Sequence, residues 1–365
     1  MQRTNTASRE SRALTGLRGV AAMLVLLHHV YLHLGVERHL PVLEPMLRRG
    51  YLGVDLFFVL SGFVISMAYG GWFDGSGPRW FTNYLRFLAR RVARLWPLHA
   101  TLVLMLIAAG IPSEPREITP ALVAANLLMI QNWDISATIN APAWSVSTEL
   151  LAYVLFPLLA SLVLRGRTGP AIALLCVVAA LAACLHFARP IGFARRGALD
   201  IYFNYSPLPA LRCLAGFITG MLAWRAGHNA LVNQAASSAW TGPLALATTI
   251  AWMIGRVPDV VIYPLLPVIV LGMHRGWGPV HRAFATGPLY RLGVLSYAIY
   301  LIHFTLLTQF PFGVAPLPEV FAGYIALSLG LAVAAHHLIE LPGRRLLRTW
   351  GDRALGGVPQ EHAGR

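Results

Sequence analysis

The sequence predicts an all-α, polytopic integral membrane protein of about ten transmembrane helices, with one further short re-entrant or interfacial helix. Three observations carry that prediction. Of 365 residues, 56% are hydrophobic and 12% charged, about half the charged share of a soluble domain. Apolar stretches of about twenty residues follow one another along the chain, the length a helix needs to cross a bilayer. Arginines gather at the ends of those stretches, as topology signals do.

The elements follow in order. Met1 to Ala13 is polar, with Arg3, Arg9 and Arg12, and the first apolar run continues to about Leu34 without a small-residue cleavage site, so residues 1–13 read as a retained cytoplasmic leader. Spans are expected near 14–34, 51–70, 95–112, 144–164, 169–188, 207–226, 238–255, 259–274, 291–310 and 318–340. This arrangement puts Arg79, Arg86, Arg90, Arg91, Arg94, Arg165, Arg167, Arg225, Arg275, Arg282, Arg344, Arg345 and Arg348 on the cytoplasmic side. The bias is incomplete, because Arg38, Arg48, Arg49, Arg116, Arg189, Arg195, Arg196 and Arg256 fall outside. A further apolar run at 120–133 is short, and a full crossing there would move Arg165 and Arg167 outside. It is therefore expected to be re-entrant or interfacial, with its backbone covered by protein. One membrane domain, 14–345, and a cytoplasmic tail, 346–365, complete the organisation. No internal repeat, linker or low-complexity tract interrupts it.

The formal charge of +14 sits at span ends and forms no basic domain, so nucleic acid is not an expected partner. Cys176, Cys184 and Cys213 lie inside apolar runs without metal-ligand or disulfide-framework spacing. Neither a metal nor a redox cofactor is expected.

Ionisable residues within spans are costly in lipid and mark a functional interior or a cavity. Arg18 and His29 share nearly one face of the first span, about 16 Å apart along its axis. They read equally as a functional pair or as a topology charge and a packed histidine. His28 points about 100° away. Asp55, a turn inside the second span, is either a helix-start charge or an interior carboxylate level with His29. Ser145, Glu149 and Tyr153 are four apart on one face of the fourth span, following Trp144. They can cap that helix, or supply a carboxylate that orients a histidine. Arg90, Arg91 and Arg94 gather guanidiniums at the entrance of the third span, a topology anchor that would also suit phosphate. Ser296, Tyr300 and His303 share a face of the ninth span, where packing is the plainer reading. Glu340, Pro342, Arg344 and Arg345 read as a helix stop and anchor.

Taken together, these residues are recognisable. Arg18 with His29, the run from Gly53 through Asp55 to Ser61, Gly62 and Phe63, Arg91 with Arg94, Trp144-Ser145 with Glu149 and Tyr153, Ser296-Tyr297 with Ile299, Tyr300 and His303, and Glu340 with Pro342 resemble the acyltransferase-3 family of membrane O-acyltransferases. The resemblance spans 14 to 345. It implies a ten-span bacterial inner-membrane protein with both termini cytoplasmic. It also implies a cytoplasmic acyl-coenzyme A donor, usually acetyl, and an acceptor hydroxyl on a surface or exported polysaccharide or on a glycosylated small molecule such as a macrolide. Arg18, His29, Arg91 and Arg94 match the positions at which the family's function is expected.

On this reading the arginines hold the donor's phosphates, and the thioester threads between helices towards His29. His29 acts as general base, with Glu149 or Asp55 fixing its tautomer, or as an acyl-histidine in a second variant. Trp144, Ser145, Tyr153, Tyr300 and His303 line the substrate path. Arg18 is expected to lie too far from the reacting carbonyl to hold the oxyanion, leaving a tyrosine or backbone donor for that role. A transporter is the competing class, since intramembrane His, Asp, Glu and Arg also build proton relays. A relay should spread such groups through the full depth with inverted repeats, whereas here they sit at two depths.

Overall fold

The computed structural model describes residues 6–34, 41–73, 79–113, 117–188, 196–202, 206–308 and 318–355. Expectations falling on Arg3, Arg38, Arg116, Arg189, Arg195 and the last ten residues of the tail lie outside that set. Among the described residues all regular structure is helical.

Helix α1 (Thr6–Leu34) opens the bundle. A single turn, α2 (Glu44–Arg48), leads into α3 (Leu52–Tyr69), which ends in the tight turn Gly70–Phe73. α4 (Trp80–Ala109) is the longest helix, and α5 (Pro120–Leu127) is short. α6 (Ala143–Leu159) widens into a π-turn at Ala160–Leu164, and α7 (Gly169–Ala188) and α8 (Leu208–Ala226) follow. Next come α9 (Ala230–Ala236), α10 (Thr241–Ile254), α11 (Asp259–Ile262), α12 (Leu265–Arg275) and α13 (Pro279–Ala285). α14 (Gly287–Leu307) and α15 (Pro318–Ala335) precede a second π-turn at His336–Glu340 and the final α16 (Leu341–Ala354).

Among the described residues, seven helical segments are long and apolar enough to cross a membrane: Arg12–His33, Leu52–Phe73, Trp80–Ala109, Ala143–Leu164, Gly169–Phe187, Gly287–Leu307 and Glu319–Ala354. The pair Asp259–Arg275 and Pro279–Ala285, bent by 89°, makes eight if it counts as one broken span. The structure departs from the sequence reading in several places. The third span starts at Trp80, well before 95, because residues 80–94 form an amphipathic helix whose arginines hide an apolar stripe from a hydropathy average. Pro97 sits inside α4 without ending it. Residues 259–274 are two helices and not one, broken at Tyr263–Pro264. The run at 120–133 yields only the eight residues of α5 before turns take over. Glu340–Pro342 does not stop the last helix, since Pro342 falls in the first turn of α16, where its missing N–H leaves no bond unmade.

Close backbone crossings fix the centre of the bundle. A Cβ added at Gly293 of α14 would lie 1.8 Å from the Thr15 carbonyl oxygen of α1, and one at Gly62 of α3 would lie 1.9 Å from that of Phe217 on α8. Small residues at such crossings let helices pack where no hydrophobic drive between them exists in lipid. The α1–α14 crossing carries His29 towards His303, and the α3–α8 crossing carries Asp55 towards Arg212.

Candidate active site

The ring hydrogen bonds of His29 assign its tautomer. Its Nδ1 lies 2.9 Å from the Val25 carbonyl oxygen, and a carbonyl can only accept, so Nδ1 carries the proton. The same Nδ1 is 3.2 Å from Nε2 of His303. His303 in turn donates from Nδ1 to the Ile299 carbonyl at 3.1 Å, which leaves its Nε2 as an acceptor. The Nδ1–H of His29 is therefore shared by Val25 and His303, and its Nε2 lone pair has no partner among the described residues. Tyr324 steadies His303 from behind by donating to its carbonyl oxygen at 2.5 Å.

His29 lines a chamber of about 170 Å³ together with His28, Tyr51, Trp144, Arg196, Asp200, Arg212 and Tyr300. A second, narrower chamber of about 50 Å³ is lined by Arg18, Arg94, Ser145, Glu149, Tyr153, Tyr297 and Tyr300. Val54 and Tyr300 line both, so the two meet there. Arg18 and Arg94 thus face one cavity with Glu149, and the Nε of Arg18 is buried without a hydrogen-bond partner. Arg90 and Arg91 do not join them. They line a separate pocket with Tyr69, Arg344 and Arg348, about one turn nearer the start of α4 than Arg94.

Two expected partners of His29 are engaged elsewhere. Asp55 is fully buried and accepts from Arg212, Nε to Oδ1 at 2.8 Å and Nη2 to Oδ2 at 2.6 Å. Glu149 accepts at Oε1 from Ser61 at 2.6 Å and from Tyr153 at 2.5 Å. Neither carboxylate fixes the imidazole; the neighbouring histidine and the helix's own carbonyl do. His303 itself lines neither chamber and stands behind His29. His28 does not point away from the site: it donates from Nδ1 to the Leu47 carbonyl at 2.8 Å, and Arg196 lies 3.3 Å from its Nε2. The chamber wraps far enough round α1 to include both histidines. Trp144 walls the larger chamber, while Ser145 and Tyr153 face the narrower one. Ser145 Oγ lies 2.8 Å from the Tyr300 hydroxyl.

Sequence reasoning passed over Arg212, Arg196, Asp200 and Tyr51. Arg212 was findable by the rule that singled out Asp55, as an ionisable residue within an apolar span. Its guanidinium also donates to the carbonyls of Ile201 and Tyr51 at 2.8 and 3.2 Å, so the pair is satisfied on both sides. Arg196 and Asp200 carry no such signal, since they lie in a connecting segment, with Arg196 Nε 3.3 Å from Asp200 Oδ2. Burial pushes the Asp200 carboxyl above its ordinary range, while Arg196 pulls it back. Among the described residues no group of three or more His, Cys, Asp or Glu side chains is placed to hold a metal ion.

Comparison with known proteins decides the family. The model of the acyltransferase-3 domain matches residues 11–337. The chain belongs to the acyltransferase-3 family. It is 28% identical to the acyltransferase MdmB of Streptomyces mycarofaciens, with 92% of each chain covered. It is 23% identical to the O-acetyltransferase OatA of Staphylococcus aureus over 96% of this chain and 60% of that protein. Protein 2 in the picA locus of Rhizobium radiobacter is 32% identical over 39% of this chain. No solved structure matches. Family membership selects an O-acyltransferase over a transporter. In this acyltransferase the family's motif residues do not form one cluster. Arg18, Arg94, Ser145, Glu149 and Tyr153 line the narrower chamber, His29 and Trp144 the larger, and Arg91 the pocket of arginines.

Proposed function

We propose that this acyltransferase moves an acyl group, acetyl in the first instance, from a coenzyme A thioester onto a hydroxyl of a sugar or glycosylated molecule, with His29 as general base. The observation that carries the reading is the unpartnered Nε2 of His29 in a chamber that meets the Arg18 chamber at Tyr300. The acceptor oxygen attacks the thioester carbonyl as Nε2 takes its proton. The C–O bond forms, the C–S bond breaks, and the imidazolium returns the proton to the departing sulfur. Tyr300, at the junction of the chambers, is the hydroxyl placed to face the oxyanion. The narrower chamber, with Arg18 and Arg94 in its wall, is assigned to the acyl end of the donor, whereas the larger, bordered by aromatic rings and by paired Arg and Asp charges, suits a neutral polyhydroxylated acceptor. The arginines at the other end hold the donor's phosphates.

The same reading makes this a ten-span protein of the bacterial inner membrane with both termini cytoplasmic. α8, α10 and the broken α11–α12 segment supply the three further crossings. It is supported by Arg225 at the end of α8, which bonds the carbonyls of Val163, Arg165 and Gly166 at the end of α6, so both helices finish on one side.

The test supplies purified protein with radiolabelled acetyl-coenzyme A and a panel of candidate glycans and glycosylated small molecules. Label should pass to an acceptor, and His29→Ala should lower turnover by about 10²–10⁴-fold with donor affinity retained. Near-normal turnover in that variant would remove the proposed base.

A further inference from the structure

The segment from Glu340 to Arg345 reads in sequence as an anchor, yet α16 carries it back against α4. Gly343 sets the approach: a Cβ there would lie 2.5 Å from Pro97 Cβ, so the two helices touch closely. Their contact encloses a pocket of about 70 Å³, room for a phosphate group, lined by Arg90 and Arg91 from α4, Arg344 and Arg348 from α16, and Tyr69. Arg91 donates to the Tyr69 hydroxyl at 3.0 Å. The Nε atoms of Arg90 and Arg91 are buried without hydrogen-bond partners.

The charges do not balance. Arg344 sits in the field of Arg94, Arg91 and Arg348, opposed by Glu340, whose Oε2 is held at 2.9 Å by His336. Asp352 stands beside the pocket, 3.7 Å from Arg90 Nη2 and 3.9 Å from Arg348 Nε. Both separations exceed a hydrogen bond, so Asp352 offsets charge without consuming the arginines' donors. Guanidiniums collected at this density are mutually repulsive, and an anion that bonds several at once relieves the repulsion while satisfying the free N–H groups.

We propose that α16 is the second wall of a phosphate site, with Arg344 and Arg348 binding the phosphate-bearing end of the nucleotide donor opposite Arg90 and Arg91, and with Asp352 as a built-in counter-ion that competes with it. The proposal rests on the donor reading given above and extends it to the last helix. Competition by Asp352 makes the effects of substitution on α16 opposite in sign. Removing an arginine weakens the ligand, and neutralising the aspartate strengthens it.

Calorimetry on the full-length protein in lipid nanodiscs, with coenzyme A and separately with adenosine 3′,5′-bisphosphate, reads both signs. Arg344→Ala and Arg348→Ala should each weaken coenzyme A by about ten- to a hundred-fold. Asp352→Asn should tighten it severalfold, a gain that misfolding cannot imitate. Adenosine 3′,5′-bisphosphate should follow the same order. Unchanged affinity in both arginine variants, or weaker binding in Asp352→Asn, overturns the proposal. If Arg91→Ala loses binding while the α16 variants do not, the α16 wall alone is wrong and the donor reading stands. If coenzyme A fails to bind the unaltered protein, both fall.

Discussion

At the scale of single residues, the proposed mechanism puts a second imidazole behind His29 where a familiar acid–base relay has a carboxylate. When His29 takes a proton its Nδ1–H becomes a stronger donor, and the Nε2 of His303 at 3.2 Å accepts from it alongside the Val25 carbonyl. On the proposed mechanism His303 is a positioning residue, and its loss should be felt in turnover more than in binding. His303→Ala is expected to lower kcat by about tenfold or more while leaving the acceptor KM near its original value. His303→Gln, which keeps an acceptor at similar reach, should recover part of the loss. Equal kcat in all three forms would show that Val25 alone holds the imidazole. Arg212 and Asp55 solve a different problem. A buried charge left unpaired costs several kcal/mol, and these two, both about 1% exposed at the side chain, share two hydrogen bonds, with Arg212 donating onward to two carbonyls. Their pairing ties α3 to α8 beside the larger chamber.

At the scale of helices, the position of His29 depends on how closely α1 and α14 cross. Gly293 permits that crossing, because an added methyl would overlap the Thr15 carbonyl at 1.8 Å and the helices would have to part. Gly293→Ala should therefore destabilise the protein by about 1–3 kcal/mol, the usual range for overpacking a filled interior. It should also reduce activity by separating His29 from His303. Gly330→Ala, in α15, is the matched substitution: nothing lies within 4 Å of its added Cβ, and it should leave the thermal midpoint unchanged or slightly raised. Similar midpoints for the two variants would mean that α1 and α14 can shift without loss. The legibility of the helices follows the same logic. α3, α7 and α14 begin and end close to the sequence reading because each is a continuous apolar run. The first half of α4 was missed because its arginines alternate with buried residues such as Phe87 and Ala93, and an average over hydropathy cancels them.

For the whole molecule, the ten-span arrangement makes a claim about sides. In a background carrying Cys176→Ser, Cys184→Ser and Cys213→Ser, an impermeant maleimide applied to intact cells should label Glu117→Cys, in the segment before α5, and should leave Arg167→Cys, between α6 and α7, unlabelled until the membrane is opened. Labelling of Arg167→Cys from outside would overturn the ten-span arrangement and, with it, the assignment of the donor to the arginine-rich end. The depth order of the three cavities gives the arrangement its functional sense. Arginines from α4 and α16 lie at one end, Arg18, Arg94 and Glu149 lie in the middle, and His29 lies beyond Tyr300.

Sequence alone determined that the chain is helical and apolar enough for a membrane and where most of its long helices lie, and it singled out Arg18, His29, Asp55, Glu149 and the arginines of α4 as candidate site groups. Those are local properties, set by hydropathy over about twenty residues and by a periodicity of 3.6. Which of these groups meet was decided by the tertiary structure. His29 finds His303 at a chain separation of 274 residues, and Arg212 finds Asp55 at 157, over distances where no local pattern operates. Between helices in lipid, neighbours are chosen by close backbone approach and by the need of each buried polar group for a partner. Those two conditions moved Asp55 and Glu149 away from the imidazole they were expected to orient, and brought Arg344 and Arg348 to a pocket that α4 leaves half built.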